Sequence, residues 1–400
     1  MRCALKQPEE WKPVGPSFDL GFSTGTPSAA LSKDGNTLVV GNPGAGRFQD
    51  DEVFGSNDGQ VRVFQRDSRS STEAGKWKQK GPTFNGSPGS RPIGVSAQVS
   101  RDGGAISYAG NNGIRDSFGV FREGFVQSFT FENNTETWQP RIGPIETDNT
   151  DANSLMSGDG KTLFVGNRVF RYNEENNTSS LLTELDLSLF TTLFEAVASE
   201  DGSTLALRPS DSSDGTVRLF RIDLSTGRAQ SEIIGLPPKN PEFDPSTFVC
   251  SFAISKDGNT VAIGDCIKTN VVVFRYDGTI NEWTQLGDFV QNLVGFSNDI
   301  SGSQDFFGDA LALSDDGETL AVGAPQYSID FNNEDLGRVT LYRLVTNGDD
   351  EKTWLQLGEP LMGKTNGERF GSEVSLSGDA RTLLVQSGIV KAQVFSLDDD

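Results

Sequence analysis

Leu31-Ser32-Lys33-Asp34-Gly35-Asn36-Thr37-Leu38-Val39-Val40-Gly41 is the stretch on which the reading of this chain turns. Apolar residues alternate on both sides of its centre, the period-two mark of half-buried strands. Between them, Asp34-Gly35 supplies the positive φ of a tight hairpin, and Ser or Asp side chains hydrogen-bond the turn amides. The phrase predicts strand A, tight turn, strand B. Relatives of it are centred on Asp102-Gly103, Asp159-Gly160, Asp201-Gly202, Asp257-Gly258, Asp316-Gly317 and Asp379-Ala380. The last of these lacks the glycine and is expected to be the least regular turn.

A third strand follows each phrase, entered by Gly59, Gly124, Gly215 and Gly337 in four units. It ends on an aromatic residue in all seven: Phe64, Phe129, Tyr172, Phe220, Phe274, Tyr342 and Phe395. A fourth strand is marked by W-x-x-x-G at Trp77–Gly81, Trp283–Gly287 and Trp354–Gly358, with Trp138–Gly143 one residue longer. Four antiparallel strands repeated seven times predict an all-β, seven-bladed β-propeller. The regular placing of the tryptophans and terminal aromatics points to packing between blades. Helical periodicity is lacking. The last unit ends before a fourth strand, whereas Trp11-Lys12-Pro13-Val14-Gly15 stands at the start without a turn phrase. Residues 10–15 are therefore expected to pair with 369–397 and close the ring, making 1–400 a single domain without open sheet edges.

Composition narrows the chemistry. The 400 residues include 34 Lys and Arg against 56 Asp and Glu, a net charge of −22, with no basic block. Nucleic acid and anionic membrane surfaces are poor partners for such a chain. It contains no histidine, so Ser-His-Asp and Cys-His catalysis are excluded. No apolar run reaches the ~18–20 residues of a membrane span. The N-terminus carries no secretory h-region. Cys250 and Cys266 flank one hairpin, with position 250 falling opposite 265 or 266. Two buried thiols are the expectation and a cross-strand disulfide the alternative. Sequons at Asn85, Asn133, Asn176 and Asn177 add a slight argument for export, and an extracellular or cell-surface location is favoured.

The fullest unit, Phe307-Gly308-Asp309-Ala310-Leu311-Ala312-Leu313-Ser314 followed by Leu320-Ala321-Val322-Gly323-Ala324-Pro325, resembles the FG-GAP-type propellers, of which the integrin α-subunit head is a member. Phe370-Gly371 and Gly41-Asn42-Pro43 repeat parts of it. This resemblance implies seven blades and a binding or adhesion role, and names no ligand. The family's calcium loops carry several acidic oxygens between strands A and B. Only Asp315, Asp316 and Glu318 approach that pattern here, so Ca²⁺ is left open as a ligand and no other cofactor is expected.

Loops opposite the stereotyped turns vary most and are the natural place for a ligand. Two mix carboxylates with aromatics: Asp50, Asp51 and Glu52 in blade 1, and Asp330, Asn332, Glu334 and Asp335 in blade 6. The expected function is a non-catalytic, monomeric recognition or adhesion module that binds a protein or glycan partner through these loops. The alternative is a carboxylate-dependent glycan-processing enzyme at the central funnel, which needs two facing carboxyl groups. Glu195, Asp309 and Glu373 are the acids near the starts of A strands, and two of them facing one pocket would mark that enzyme. A WD-repeat-like scaffold is a third reading, without that family's Gly-His and Trp-Asp words.

Overall fold

The computed structural model describes residues 10–20, 28–44, 47–49, 52–54, 59–67, 69–70, 76–86, 93–94, 96–111, 124–147, 154–187, 193–209, 216–235, 249–266, 269–291, 305–329, 334–348, 351–388 and 391–397. Among these residues there is no helix; seven antiparallel sheets of four or five strands follow one another along the chain, and a two-stranded hairpin, Arg47–Gln49 with Glu52–Phe54, stands beside them. In blade 4 the strands are Leu193–Ala198, Thr204–Pro209, Thr216–Ile222 and Ala229–Gly235, paired in that order. Blade 7 takes Phe370–Leu376, Thr382–Ser387 and Lys391–Leu397 from the C-terminus and Trp11–Pro13 from the N-terminus. Pro13 stands opposite Phe395 and Trp11 opposite Leu397. The chain is thus a seven-bladed β-propeller whose last blade is closed by its N-terminal strand.

Each turn phrase is a small hydrogen-bond machine. In blade 6, Ser314 Oγ donates to Asp316 Oδ1 at 2.6 Å and accepts the Thr319 amide at 2.9 Å. Asp316 Oδ1 also takes the Glu318 amide at 2.9 Å. The same Ser–Asp bond recurs in every blade, from Ser32–Asp34 to Ser377–Asp379. The glycine after the Asp does more than supply φ: a Cβ on Gly317 (φ +65°) would lie 2.8 Å from Thr260 Oγ1 of blade 5. Ala380 takes φ 58° and keeps the full bond set, Ser377–Asp379 at 2.6 Å and Thr382 N–Ser377 Oγ at 2.8 Å. The turn is therefore regular, because the serine and aspartate, not the glycine, define it.

The blades are joined at both ends. Trp354 Nε1 donates to Leu286 O at 2.8 Å, Trp138 to Lys80 O at 3.0 Å and Trp77 to Val14 O at 3.0 Å. Each acceptor lies three residues after the preceding blade's Trp. Gly287 (φ +75°) follows one such acceptor, and a Cβ there would press on Trp354 at 3.0 Å. This accounts for W-x-x-x-G: the glycine seats the next blade's indole. At the axis, the residue before each turn Asp, or that Asp itself, bonds to the neighbouring blade. The bonds run Asp34 N–Arg101 O, Arg101 N–Gly158 O, Asp159 N–Glu200 O, Glu200 N–Lys256 O, Lys256 N–Asp315 O, Asp315 N–Gly378 O and Gly378 N–Lys33 O. They form a closed circle of backbone bonds. Within it, Arg101 donates to Glu200 at 3.3 Å and to Asp315, and Lys33 Nζ reaches Leu313 O and Leu376 O at 3.1 Å each. Charged side chains thus plug this end of the axis.

Candidate active site

The site lies at the other end of the A strands. Glu195 stands five residues before Glu200 of the plug, which in an extended strand is about 16 Å. Counting back four residues from each turn serine gives Ser28, Ser96, Glu195, Ser251, Ala310 and Glu373 in blades 1, 2, 4, 5, 6 and 7. The serines are short and stitch blades together: Ser28 Oγ donates to Gly94 O at 3.2 Å, Ser96 Oγ to Ser154 O at 3.1 Å and Ser251 Oγ to Gly308 O at 3.1 Å. At the same position, two glutamates are long enough to reach the axis. Blades 4 and 7 lie three apart in a ring of seven, so Glu195 and Glu373 approach from nearly opposite walls.

Both line one cavity of about 290 Å³, together with Ser96, Gln98, Ser154 and Phe164. Glu195 keeps 29% of its side chain open, and that opening is into the cavity. Glu373 is exposed by surface area, but it too faces the funnel and not the outer surface. Desolvation therefore governs their ionisation. Burial pushes Glu195 up to about 8, with Asp309 and Glu373 adding repulsion while the Arg208 guanidinium and the Phe252 amide pull against it. Burial pushes Glu373 up to about 7, opposed by a hydrogen bond from the Gln386 side-chain amide. Gln386 is buried and its Nε2 also contacts Ala29 O at 3.4 Å, which fixes the amide that orients Glu373. Arg208 is 2% exposed, with Nε 3.9 Å from Glu195 Oε2 and Nη2 donating to Cys250 O at 3.4 Å. Asp309 is raised as well, through burial, with Arg208 opposing.

The loop residues expected to bind a ligand fare differently. Asp50, Asp51, Asp330 and Asn332 lie outside the described residues, and Glu52 is described only as part of the short strand Glu52–Phe54. Glu334 is exposed, and Asp335 forms an ion pair with Arg369 at 3.4 Å. The three residues considered for calcium are engaged elsewhere. Asp315 holds Arg101, Asp316 binds its own turn, and Glu318 lies 3.7 Å from Arg275. Cys250 and Cys266 form a disulfide with a Cα separation of 5.8 Å, which corrects the expectation of two thiols. A bulge between Val249 and Ser251 shifts the register at Cys250 and brings it to the end of the partner strand.

No family model and no curated protein matches the chain. Solved structures similar in fold include a periplasmic gluconolactonase of Pseudomonas aeruginosa, at 14% identity over 84% of this chain and 87% of that one, with a TM-score of 0.48. A candidate 6-phosphogluconolactonase of Bacteroides uniformis follows at 13% identity, 84% and 85% coverage and a TM-score of 0.49. Another, from Bacteroides fragilis, stands at 15%, 84% of each chain and 0.45.

The expectation of a non-catalytic adhesion module is corrected at this point. Glu195 and Glu373 line one pocket, the arrangement that the carboxylate-enzyme alternative requires and the adhesion reading did not expect. The sequence already offers Glu195, Asp309 and Glu373 as acids near A-strand starts, and the structure brings Glu195 and Glu373 to one pocket. Aligning the seven phrases on their turn serines places Glu195 and Glu373 at the same position, whereas Asp309 falls one residue before it.

Proposed function

We propose that this propeller is a hydrolase for a single sugar-like unit, with Glu195 as general acid and Glu373 as general base at the axial funnel. The observation that carries this reading is the meeting of two carboxyl groups from opposed blades in one small cavity. A volume near the lower end of ligand pockets, about 300–1,000 Å³, suits one ring and not an oligomer. Leu155, Phe164 and Leu207 offer an apolar wall, and Ser96 and Gln98 a polar one, as a sugar's faces and edges require.

Glu373 takes a proton from water, whose oxygen bonds to the electrophilic acetal or lactone carbon. Glu195 gives its proton to the leaving oxygen as that carbon–oxygen bond breaks. Solvent then returns a proton to Glu195 and removes one from Glu373. Assigning the acid to Glu195 follows from its higher pKa and from the amide of Gln386, which favours the ionised form of Glu373. Two glutamates lining the funnel and a net charge of −22 favour uncharged substrates over phosphorylated ones. The disulfide supports an oxidising, exported setting. The FG-GAP-like wording is read here as blade packing, since Phe307 is wholly buried and the Gly308 carbonyl abuts Gly264.

The test is a panel of chromogenic monoglycosides and unphosphorylated aldonolactones. On whichever substrate the wild type turns over, E195Q and E373Q are each expected to lower kcat by about 10²–10⁴. The wild-type rate should follow a bell whose limbs lie near 7 and 8. Unchanged rates in both variants, or no turnover of any panel member, would overturn the assignment.

A further inference from the structure

We propose that Cys250, Cys266 and Asp309 form a site for a soft divalent metal of the zinc class, which metal and disulfide occupy in alternation. The ligand atoms of these three side chains lie within 4.8 Å of one another. They come from regular elements: Cys250 from Val249–Ile254, Cys266 directly after Thr260–Asp265, and Asp309 directly before Ala310–Leu313 of the next blade. Two sulfurs on one tetrahedral zinc, at ~2.3 Å each, stand about 3.8 Å apart. A Cα separation of 5.8 Å allows that spacing by side-chain rotation alone. Thiolates select zinc, cadmium or cobalt over calcium and magnesium.

Charge and access agree with this. Two thiolates and one carboxylate around a divalent ion leave a single negative charge. Arg208, whose guanidinium contacts the Cys250 carbonyl at 3.4 Å and acts on Asp309, supplies the compensating positive one. Cys266 is buried while Cys250 and Asp309 are half-buried, so the site is enclosed on one side and open on the other. Reduction by a dithiol transfers two electrons and two protons to the sulfurs, and the dithiol closes to its own disulfide. The metal then displaces both thiol protons into solvent. The proposal does not rest on the hydrolase reading, although Arg208 and Asp309 also act on Glu195.

The probe is Co²⁺, added to the full chain carrying C3S so that only these two cysteines remain. After anaerobic reduction, one Co²⁺ per chain with thiolate-to-cobalt charge transfer and tetrahedral d–d bands is expected, displaced by Zn²⁺. The oxidised chain should show neither band, and D309N should weaken binding at least about ten-fold. A reduced chain without the thiolate band overturns the proposal. So does equal cobalt uptake by the oxidised and reduced forms, or an unchanged titration in D309N. Because the oxidised–reduced comparison uses unaltered ligands, it stands even where a ligand variant misfolds.

Discussion

Glu195 and Glu373 are kept in a state that works against folding at neutral pH. Burial lifts both above the ordinary glutamate value of 4.5, to about 8 and about 7. Between about pH 4.5 and those raised values, the folded chain retains protons that the unfolded chain has released. The unfolded state then binds fewer protons, so stability falls as pH rises through this window and levels off above it. Glutamine keeps the shape without the charge. Melting curves of E195Q and E373Q should coincide with wild type near pH 4 and exceed it by roughly 2 °C or more above pH 8. A gap that does not change with pH would show that desolvated charge is not its cause. Gain of stability with loss of turnover is the pattern expected where a site is held under electrostatic strain.

At the scale of the element, the hairpin phrase combines a local demand with a neighbour's. Positive φ at Gly317 costs any other residue about 1–2 kcal/mol, and Thr260 of blade 5 occupies the place of the missing side chain. Crowding of that kind adds about 1–3 kcal/mol. G317A should therefore lose about 2–5 kcal/mol in chemical unfolding. G166A, at φ +59° with nothing within 4 Å of its new methyl, should lose only the backbone part, about 1–2 kcal/mol. Equal losses in the two variants would mean that the turn, not the packing between blades, sets the requirement. The blades were legible in the sequence because every condition of the phrase is met within six residues, from Ser314 to Thr319. The funnel was legible only as far as its candidates: Glu195, Asp309 and Glu373 could be named, but which two share a pocket depends on the register of the ring, which no single strand carries. Cys250 was placed correctly opposite 265 or 266, but alternation cannot tell a bonded pair from two thiols; the bulge at Cys250 is what brings it to Cys266.

At the scale of the whole molecule, the circle of axial backbone bonds is only as strong as its last joint. Blade 7 is assembled from both ends of the chain, and the joint is more than three paired residues. Trp11, Val14, Phe18 and Leu20 are buried. Val14 accepts the Trp77 indole at 3.0 Å and Gly15 accepts Gln393 Nε2 at 3.1 Å, so the segment binds blade 1 as well as blade 7. Four buried side chains at about 1.5–3 kcal/mol each amount to about 6–12 kcal/mol. That is comparable with the entire ~5–15 kcal/mol by which a typical domain is stable. Removal of residues 1–20 also bares the edge of Lys391–Leu397, a template for pairing with another chain. The truncated chain is expected to give no cooperative melting transition and to associate in size-exclusion chromatography. A synthetic peptide of residues 10–20 added during refolding should restore both the transition and the monomer. A truncated chain that melts like wild type without the peptide would show that the remaining blades close the ring by themselves, and the N-terminal strand would then be a cover and not the clasp.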